Sequence, residues 1–506
     1  MIYEKSNYTP LADGEKIRIV FLFQIPSFWP SWDSFYHACL NDDRFDVKLL
    51  WHNENALQDF QMTTAEPFLF DNAIKHELFD QKLAISFAPH VVVIQSPYDS
   101  WHRKDTTISL RFKQAGARIV YVPYGLEISD MEESKLLHFY QYTILNAWRI
   151  YTFSEAMRQD YVKHCPNRGA VRVTGHPKFD AYANSCDFKL PEEIISSAEG
   201  RKILLWKMHF PVLKWDGKKN IIVTPLIDEY IRFAEWLVDC PDMFFVFMPH
   251  PMIMSGGVPE IFQEQTAKLV AILKSALNVY IDISDDYRNV LINADAIIVD
   301  RSALMVEAAV NKVPILYMHN PDNTERLTNA ITPLIESYYQ GTTADDMIQF
   351  VEIFKSGIDP KRKQREEAFQ ECVPYTDGKC GVRIMDDIAN SILQEQPSAV
   401  LRVAVFAMGD VFRYYWEMTG TLTRDDIEIV VISDNNPLKW GDIFHGIPVV
   451  EPSNLRNYDF DVIVVFSEQF FKEIFKQLMY EINIDIEKIM RLDTFIVSLS
   501  DNEGDA

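Results

Sequence analysis

Short aliphatic runs alternate with longer amphipathic stretches along most of this chain, and that rhythm predicts strands alternating with helices. The first strands are expected at Ile17–Phe23, Asp46–Leu50, Val91–Ile94, Arg118–Val122, Ile150–Phe153 and Val171–Thr174. Helical patterns at 71–87, 105–115, 132–146 and 155–164 lie between most of them. A polar, turn-rich stretch at 175–200 follows, and the rhythm restarts with Ile203–Trp206, Phe244–Met248, Val279–Ile281, Ala296–Val299 and Ile315–Tyr317. Helical patterns at 225–238, 259–275, 303–311 and 378–394 accompany this second set. After the polar link at 394–399 a smaller unit begins, with strands at Arg402–Phe406, Ile427–Ile432, Pro448–Val450 and Val462–Phe466. Strands that alternate with helices imply βαβ units and parallel sheets. The expected architecture is α/β, with two doubly wound parallel-sheet domains at 1–180 and 181–396 and a small Rossmann-like module at 397–506.

Composition narrows the class. A chain of 506 residues exceeds one ordinary core, which agrees with several domains. The net charge of −24 argues against a general nucleic-acid binder, because phosphate backbones are held by Lys and Arg. No apolar stretch approaches the ~18–20 residues needed to span a bilayer. The first residues lack the charged-then-apolar order of a signal peptide. The six cysteines are scattered and form no CxxC pair. The expected setting is cytoplasmic, with peripheral attachment to the inner face of the cell membrane as an extension of it.

In open α/β sheets, ligands bind outside the carboxyl ends of the strands. In the second domain those ends carry Lys207 and His209, then His250 between two prolines, then Asp300, Arg301 and Ser302. Ser302 suits the N-cap of the next helix, a ready site for an anion, and Glu307 follows inside that helix. Each has a plain structural reading: a helix cap for Ser302, a loop imidazole for His250, a packed side chain for His209, an internal ion pair for Glu307. Their convergence on one sheet edge favours a site. In the first domain Tyr124, Gly125 and Ser154 stand at strand ends. The aromatic corner "PSFWPSW" (26–32) reads first as a packed loop.

The order Gly175-x-Pro177-x-x-Asp180, "LLWKMHF", "FMPHP" and "DISDDYRNVLINADAIIVDRSALMVEAAVNKVPILYM" resembles the CDP-glycerol glycerophosphotransferase family, the TagB/TagF-like enzymes of teichoic acid and capsule assembly. The resemblance covers roughly residues 90–320. It implies a GT-B fold, two Rossmann-like domains facing across a cleft, the first for acceptor and the second for donor. It implies transfer of a polyol-phosphate group from a CDP-linked donor to a lipid- or polymer-linked acceptor, with no cofactor required. It places His250 in the family's Pro-His-Pro/Arg site and Asp300, Ser302 and Glu307 in its donor-binding segment, with Lys207 and Arg301 neutralising charge on the leaving side. The sequence departs from the pattern at Arg301, Ala303 and Glu307, where the family has Tyr, Ser and Asp. It also has Pro123-Tyr124-Gly125 where many members have Trp-His-Gly, which leaves the base open, with His209 as the expected substitute beside His250. A nucleotide-sugar glycosyltransferase and a non-catalytic scaffold are the alternatives.

The last unit, from "VAVFAMGDVF" onward, looks like the small Rossmann-type module appended to bacterial polysaccharide and methyltransferase proteins. Gly409 stands at its first strand–helix turn and Asp434 after the second strand, where a ribose-binding acid would be. Only one glycine of G-x-G-x-x-G is present. A structural or assembly role is therefore expected ahead of nucleotide binding, and an NAD-dependent enzyme is disfavoured.

Overall fold

The computed structural model describes residues 8–12, 14–52, 65–183, 188–215, 219–284, 286–323, 325–394, 401–419, 421–423 and 427–500. The link at 394–399 lies almost wholly outside the described residues. The first sheet contains β1 (Ile17–Phe23), β2 (Phe45–Trp51), β3 (Glu77–Leu78), β4 (Val91–Ile94), β5 (Arg118–Tyr121), β6 (Ala147–Thr152) and β7 (Val171–Val173). Its order is β3-β2-β1-β4-β5-β6-β7 and every pairing is parallel. The second begins with β8 (Lys202–Met208). A small antiparallel hairpin, β9 (Leu213–Trp215) with β10 (Asn220–Ile222), leaves that strand's end. Then come β11 (Met243–Pro249), β12 (Val279–Ile281), β13 (Ala296–Val299), β14 (Ile315–Met318) and β15 (Tyr339–Gly341). The order is β12-β11-β8-β13-β14-β15, again parallel throughout.

Both sheets are doubly wound, as their sequences predict. Central strands such as β4, β11 and β13 are buried along their full length, so they read as continuous apolar runs rather than alternating ones. The C-terminal unit has β16 (Leu401–Phe406), β17 (Ile427–Ser433), β18 (Ile443–Phe444), β19 (Ile447–Val450), β20 (Val462–Val465) and β21 (Ile489–Arg491), in order β18-β19-β17-β16-β20-β21. Only β18 runs antiparallel to its neighbour. No helix among the described residues is long and apolar enough to cross a membrane.

One helix is placed differently from its position in the chain. Cys380–Gln394 follows the second sheet but buries Ile384, Met385, Ile388, Ala389 and Ile392 in the core beneath the first, among Ile17, Phe21 and Phe35. These positions recur with helical spacing and form one apolar face. Asp180 fixes the start of the helix: its carboxylate accepts the N–H groups of Cys380 (2.8 Å) and Gly381 (2.7 Å) and the hydroxyl of Ser34 (2.7 Å). Asp387 anchors it further along, accepting from Tyr151 (2.7 Å) and Arg149 (3.2 Å). The first unit, proposed as 1–180, is thus completed by residues 380–394, which the linear pattern grouped with the second.

Gly381 lets this helix approach closely. A Cβ there would lie 2.5 Å from the backbone nitrogen of Phe35, and backbone cannot swing aside as a side chain can. Gly381→Ala is expected to lower stability by about 1–3 kcal/mol, the usual cost of overpacking. The denaturant midpoint measures it, and an unchanged midpoint would show that the helix is not seated against residues 34–35.

Candidate functional site

The second sheet reverses its winding between β8 and β13, and the ends of these strands and of β11 meet there. The backbone N–H of His250 donates to the Met208 carbonyl (2.8 Å), which sets the end of β11 beside the end of β8. The imidazoles of His209 and His250 lie 4.8 Å apart, centroid to centroid. Lys207 precedes them, and no hydrogen bond or ion pair holds its ammonium among the described residues. Burial pulls its pKa down to about 8, against the attraction of Asp300 and Asp282.

The two histidines differ in which nitrogen is free. In His209, Nδ1 lies 2.8 Å from the Phe210 carbonyl, which can only accept. Nδ1 therefore carries the proton and Nε2 presents a lone pair. In His250, Nδ1 accepts the N–H of Met252 (3.2 Å) and caps the short helix Pro251–Ser255. Its proton is therefore on Nε2. Burial holds both rings neutral, with pKa values near 3 for His209 and 2 for His250. One bare nitrogen, one N–H and one unpaired ammonium thus occupy a single strand edge.

Asp300 supports this edge from beneath. It is fully buried, and its two oxygens accept the His209 N–H (2.9 and 3.0 Å) while Oδ2 also accepts the Tyr230 hydroxyl (2.9 Å). Burial raises its pKa to about 6 even so. Asp300, expected in the donor-binding segment, pins the backbone that carries His209.

The neighbouring residues likewise have protein partners. Arg301 is locked in a bidentate pair with Glu325 (2.6 and 2.7 Å). Ser302 is not the N-cap; Ala303 holds that position, the helix is one turn long (Leu304–Glu307), and the Ser302 hydroxyl accepts the Leu304 N–H (3.3 Å). Glu307 is buried and accepts from Lys178 (2.9 Å), Tyr287 (2.7 Å) and Tyr182 (3.0 Å). The internal ion pair, not a ribose contact, is its arrangement here. Lys178 comes from the 175–200 connection, so Glu307 ties that connection to the second domain.

On the first-domain side, Tyr124 stacks on Phe28 (3.9 Å between centroids), and its hydroxyl meets that of Tyr98 (3.2 Å). A Cβ on Gly125 would lie 3.7 Å from the Cβ of Ala303, so these residues do reach the second domain. Ser154, expected on the acceptor side, is a buried helix cap that accepts the Met157 N–H (3.3 Å). Trp29 and Trp32 of the aromatic corner are buried, as a packed loop requires. In the C-terminal unit Gly409 begins the helix Asp410–Glu417. Asp434 is occupied internally: it accepts the N–H groups of Met408 and Asn436 (2.8 Å each) and pairs with Lys439 (2.7 Å). Asp434, the acid expected at a ribose, closes the turns after β16 and β17.

Two residues escaped the sequence reading. Asp282, after β12, has one buried carboxylate oxygen without a hydrogen-bond partner among the described residues and contributes to the field at Lys207. Its only signal is an acid that closes a short apolar run. His138, on the first-domain helix Glu132–Phe139, is electrostatically coupled to Arg301, Lys214 and Glu325. Its signal is its spacing from Ser134, four residues earlier and so on the same helix face.

The two sheets, their facing strand ends and the returning helix define a GT-B-like α/β protein. Solved structures agree on that fold. A Listeria monocytogenes protein assigned as a UDP-N-acetylglucosamine 2-epimerase superposes with a TM-score of 0.53 at 13% identity, covering 76% of this chain and 98% of its own. The S. aureus MnaA–UDP complex gives 0.51 at 14% identity, covering 76% and 99%. A variant of the wall teichoic acid polymerase TagF gives 0.50 at 12% identity, covering 78% and 92%. Residues 399–490, within the C-terminal unit, match the family described as C2185-like, N-terminal. No curated protein matches the chain in sequence.

Glu307→Ala would strand the buried Lys178 ammonium. The expected loss of stability is about 3–5 kcal/mol, as for breaking a buried pair from one side. Glu307→Leu combined with Lys178→Met should recover much of it. Equal denaturant midpoints for wild type and Glu307→Ala would contradict the assignment.

Proposed function

We propose that the protein transfers a polyol-phosphate group, glycerol phosphate or a relative, from a CDP-linked donor to a hydroxyl of a lipid- or polymer-linked acceptor during cell-surface polymer synthesis. The observation that carries this reading is the pairing of opposite tautomers, His209 with a bare Nε2 and His250 with an Nε2–H, beside the unpaired Lys207. An acceptor hydroxyl attacking phosphorus must lose a proton, and the lone pair on His209 Nε2 is the candidate to take it, its basicity raised from the free-protein value when an anionic phosphate binds beside the ring. The oxygen–phosphorus bond to the acceptor forms as the bond to CMP breaks, and CMP leaves with its phosphate. His250 Nε2–H and Lys207 stabilise the charge on the phosphoryl and leaving oxygens, which is most of what a protein contributes to such a transfer. The GT-B-like fold and the motif resemblance support the reading, and so does the strand edge on which these groups meet. Attachment to the cytoplasmic face of a membrane fits a lipid-linked acceptor.

The deciding assay offers CDP-glycerol, CDP-ribitol and UDP-N-acetylglucosamine with hydroxyl acceptors. Acceptor-dependent release of CMP supports the proposal. Release of UDP, or epimerisation of the sugar, would move the assignment to nucleotide-sugar chemistry, and no turnover of any donor would favour a scaffold.

His209→Ala is expected to lower turnover about 100- to 10,000-fold with donor affinity nearly intact. His250→Ala is expected to weaken donor binding about 10- to 100-fold, the value of a hydrogen bond to a charged acceptor. Wild-type turnover in both variants would remove the mechanism.

Lys207 gives a pH signature. Its ammonium binds phosphate only when protonated, and burial brings its free-protein pKa to about 8. Donor affinity should therefore hold below that pH and fall as pH rises through it. Lys207→Met should bind weakly with no such fall, and a wild-type affinity flat from pH 7 to about 9 would exclude Lys207 as the phosphate contact.

A further inference from the structure

A compact network of charges and hydroxyls crosses the junction between the two domains. Glu325 pairs with Arg301 (2.6 and 2.7 Å), lies 3.7 Å from the ammonium of Lys214 on β9, and accepts the hydroxyl of Ser129 from the first domain. Lys214 also donates to the Ser134 hydroxyl (2.9 Å), and Ser134 donates to Ser129 (2.9 Å). The backbones join too: Asp130 N–H donates to the Arg326 carbonyl (2.8 Å) and Thr328 N–H to the Ile128 carbonyl (3.0 Å). Each charge and hydroxyl here has a protein partner. The exception at the same place is His138, one turn beyond Ser134 on the same helix face. Neither of its ring nitrogens has a hydrogen-bond partner among the described residues. His209, on the second domain, is electrostatically coupled to the same Arg301 and Glu325. One imidazole from each half of the molecule thus feels the charges of this junction.

We infer that His138 is the acceptor-binding imidazole of the first domain, holding a hydroxyl that lies next to an anionic phosphate group. This inference rests on the transfer reading above and names the side of the junction from which the acceptor enters. Charge at the site selects the ligand class. Among the charged groups that act on His138 are the cations Arg301 and Lys214 together with the carboxylate of Glu325, so an anion bound beside the ring would meet two cations. His138 is neutral there, because burial and the two cations hold its pKa near 4. A neutral imidazole offers one N–H and one lone pair, which suits a hydroxyl that both donates and accepts. A polyol phosphate supplies both features. His138 orients the hydroxyl, and His209 on the opposite side receives its proton.

The test uses CDP and glycerol phosphate as probes on the full chain, isotope-labelled at histidine Cε1 and followed by NMR. The His138 resonance is identified by its loss in His138→Gln. Glycerol phosphate added to the CDP-saturated protein should shift that resonance saturably. His138→Gln should bind glycerol phosphate about tenfold more weakly, the value of one hydrogen bond, while its CDP affinity changes less than about twofold. A merely structural His138 would instead lower stability without changing either affinity. If CDP binds and glycerol phosphate leaves His138 unmoved, the inference is overturned and the donor reading stands. If CDP does not bind, the donor reading falls, and the glycerol phosphate titration of the free protein then judges His138 alone: a saturable shift supports the acceptor site and its absence overturns it.

Discussion

The buried carboxylate of Asp300 is the constraint on which the rest of the site depends. It stands where the second sheet changes direction, and its oxygens accept the His209 N–H and the Tyr230 hydroxyl. Strands β8 and β13 are paired only up to Trp206 and Ile298. Beyond that point the ladder no longer holds the chain, and Asp300 takes over. A backbone N–H bound to a buried carboxylate is a strong hydrogen bond, and leaving it unmade would cost a full desolvation penalty. With His209 fixed in this way, and the His250 N–H bound to Met208, the two rings are held in one relative position. Their tautomers then follow from the backbone groups nearest each Nδ1.

Charge plays a different role at the junction between the domains. Glu307 with Lys178 and Glu325 with Arg301 are both buried, and buried pairs contribute little net stability because desolvation offsets their attraction. They do impose geometry. An imperfectly formed junction would leave carboxylates and cations unpaired away from water, which is far more costly than the paired state. The continuous apolar cluster that runs from Phe139 and Tyr161 to Val299 and Tyr338 makes the junction adhesive. The ion pairs determine its register. The returning helix 380–394 joins the halves a second time, from the opposite end of the chain.

The motif around 300–307 shows how residue type and role separate. Asp, Arg, Ser and Glu on a strand end and its following helix have the chemistry of a nucleotide site. In the fold Asp300 supports backbone, Arg301 and Glu307 form ion pairs, and Ser302 closes a turn. Lys207, His209 and His250 keep free polar atoms at the same edge. The difference lies in partners contributed by residues 325, 178, 182 and 287. These are distant in sequence, and nothing in the local pattern announces them. Asp434 and Ser154 are instead engaged locally, Asp434 by Lys439 five residues on and Ser154 by the helix beside it, which uses it as a cap.

The sequence by itself determined the central strands, their parallel pairing and the doubly wound layout, but not the short strands Glu77–Leu78, Leu213–Trp215, Asn220–Ile222, Tyr339–Gly341, Ile443–Phe444 and Ile489–Arg491. The central strands and their layout follow from local periodicity: apolar runs three to seven residues long, amphipathic segments between them, and polar corners that end many of the strands. It also located the edge on which His209 and His250 meet, because strand ends in a parallel sheet share one side. Tertiary structure alone decided which polar groups remain free. Whether a carboxylate, guanidinium or imidazole is available to a ligand depends on partners brought from far along the chain, as Glu325 is to Arg301 and Lys178 to Glu307. It also decided that helix 380–394 belongs under the first sheet. An amphipathic helix specifies that it must bury a face, not which of two nearby cores will receive it.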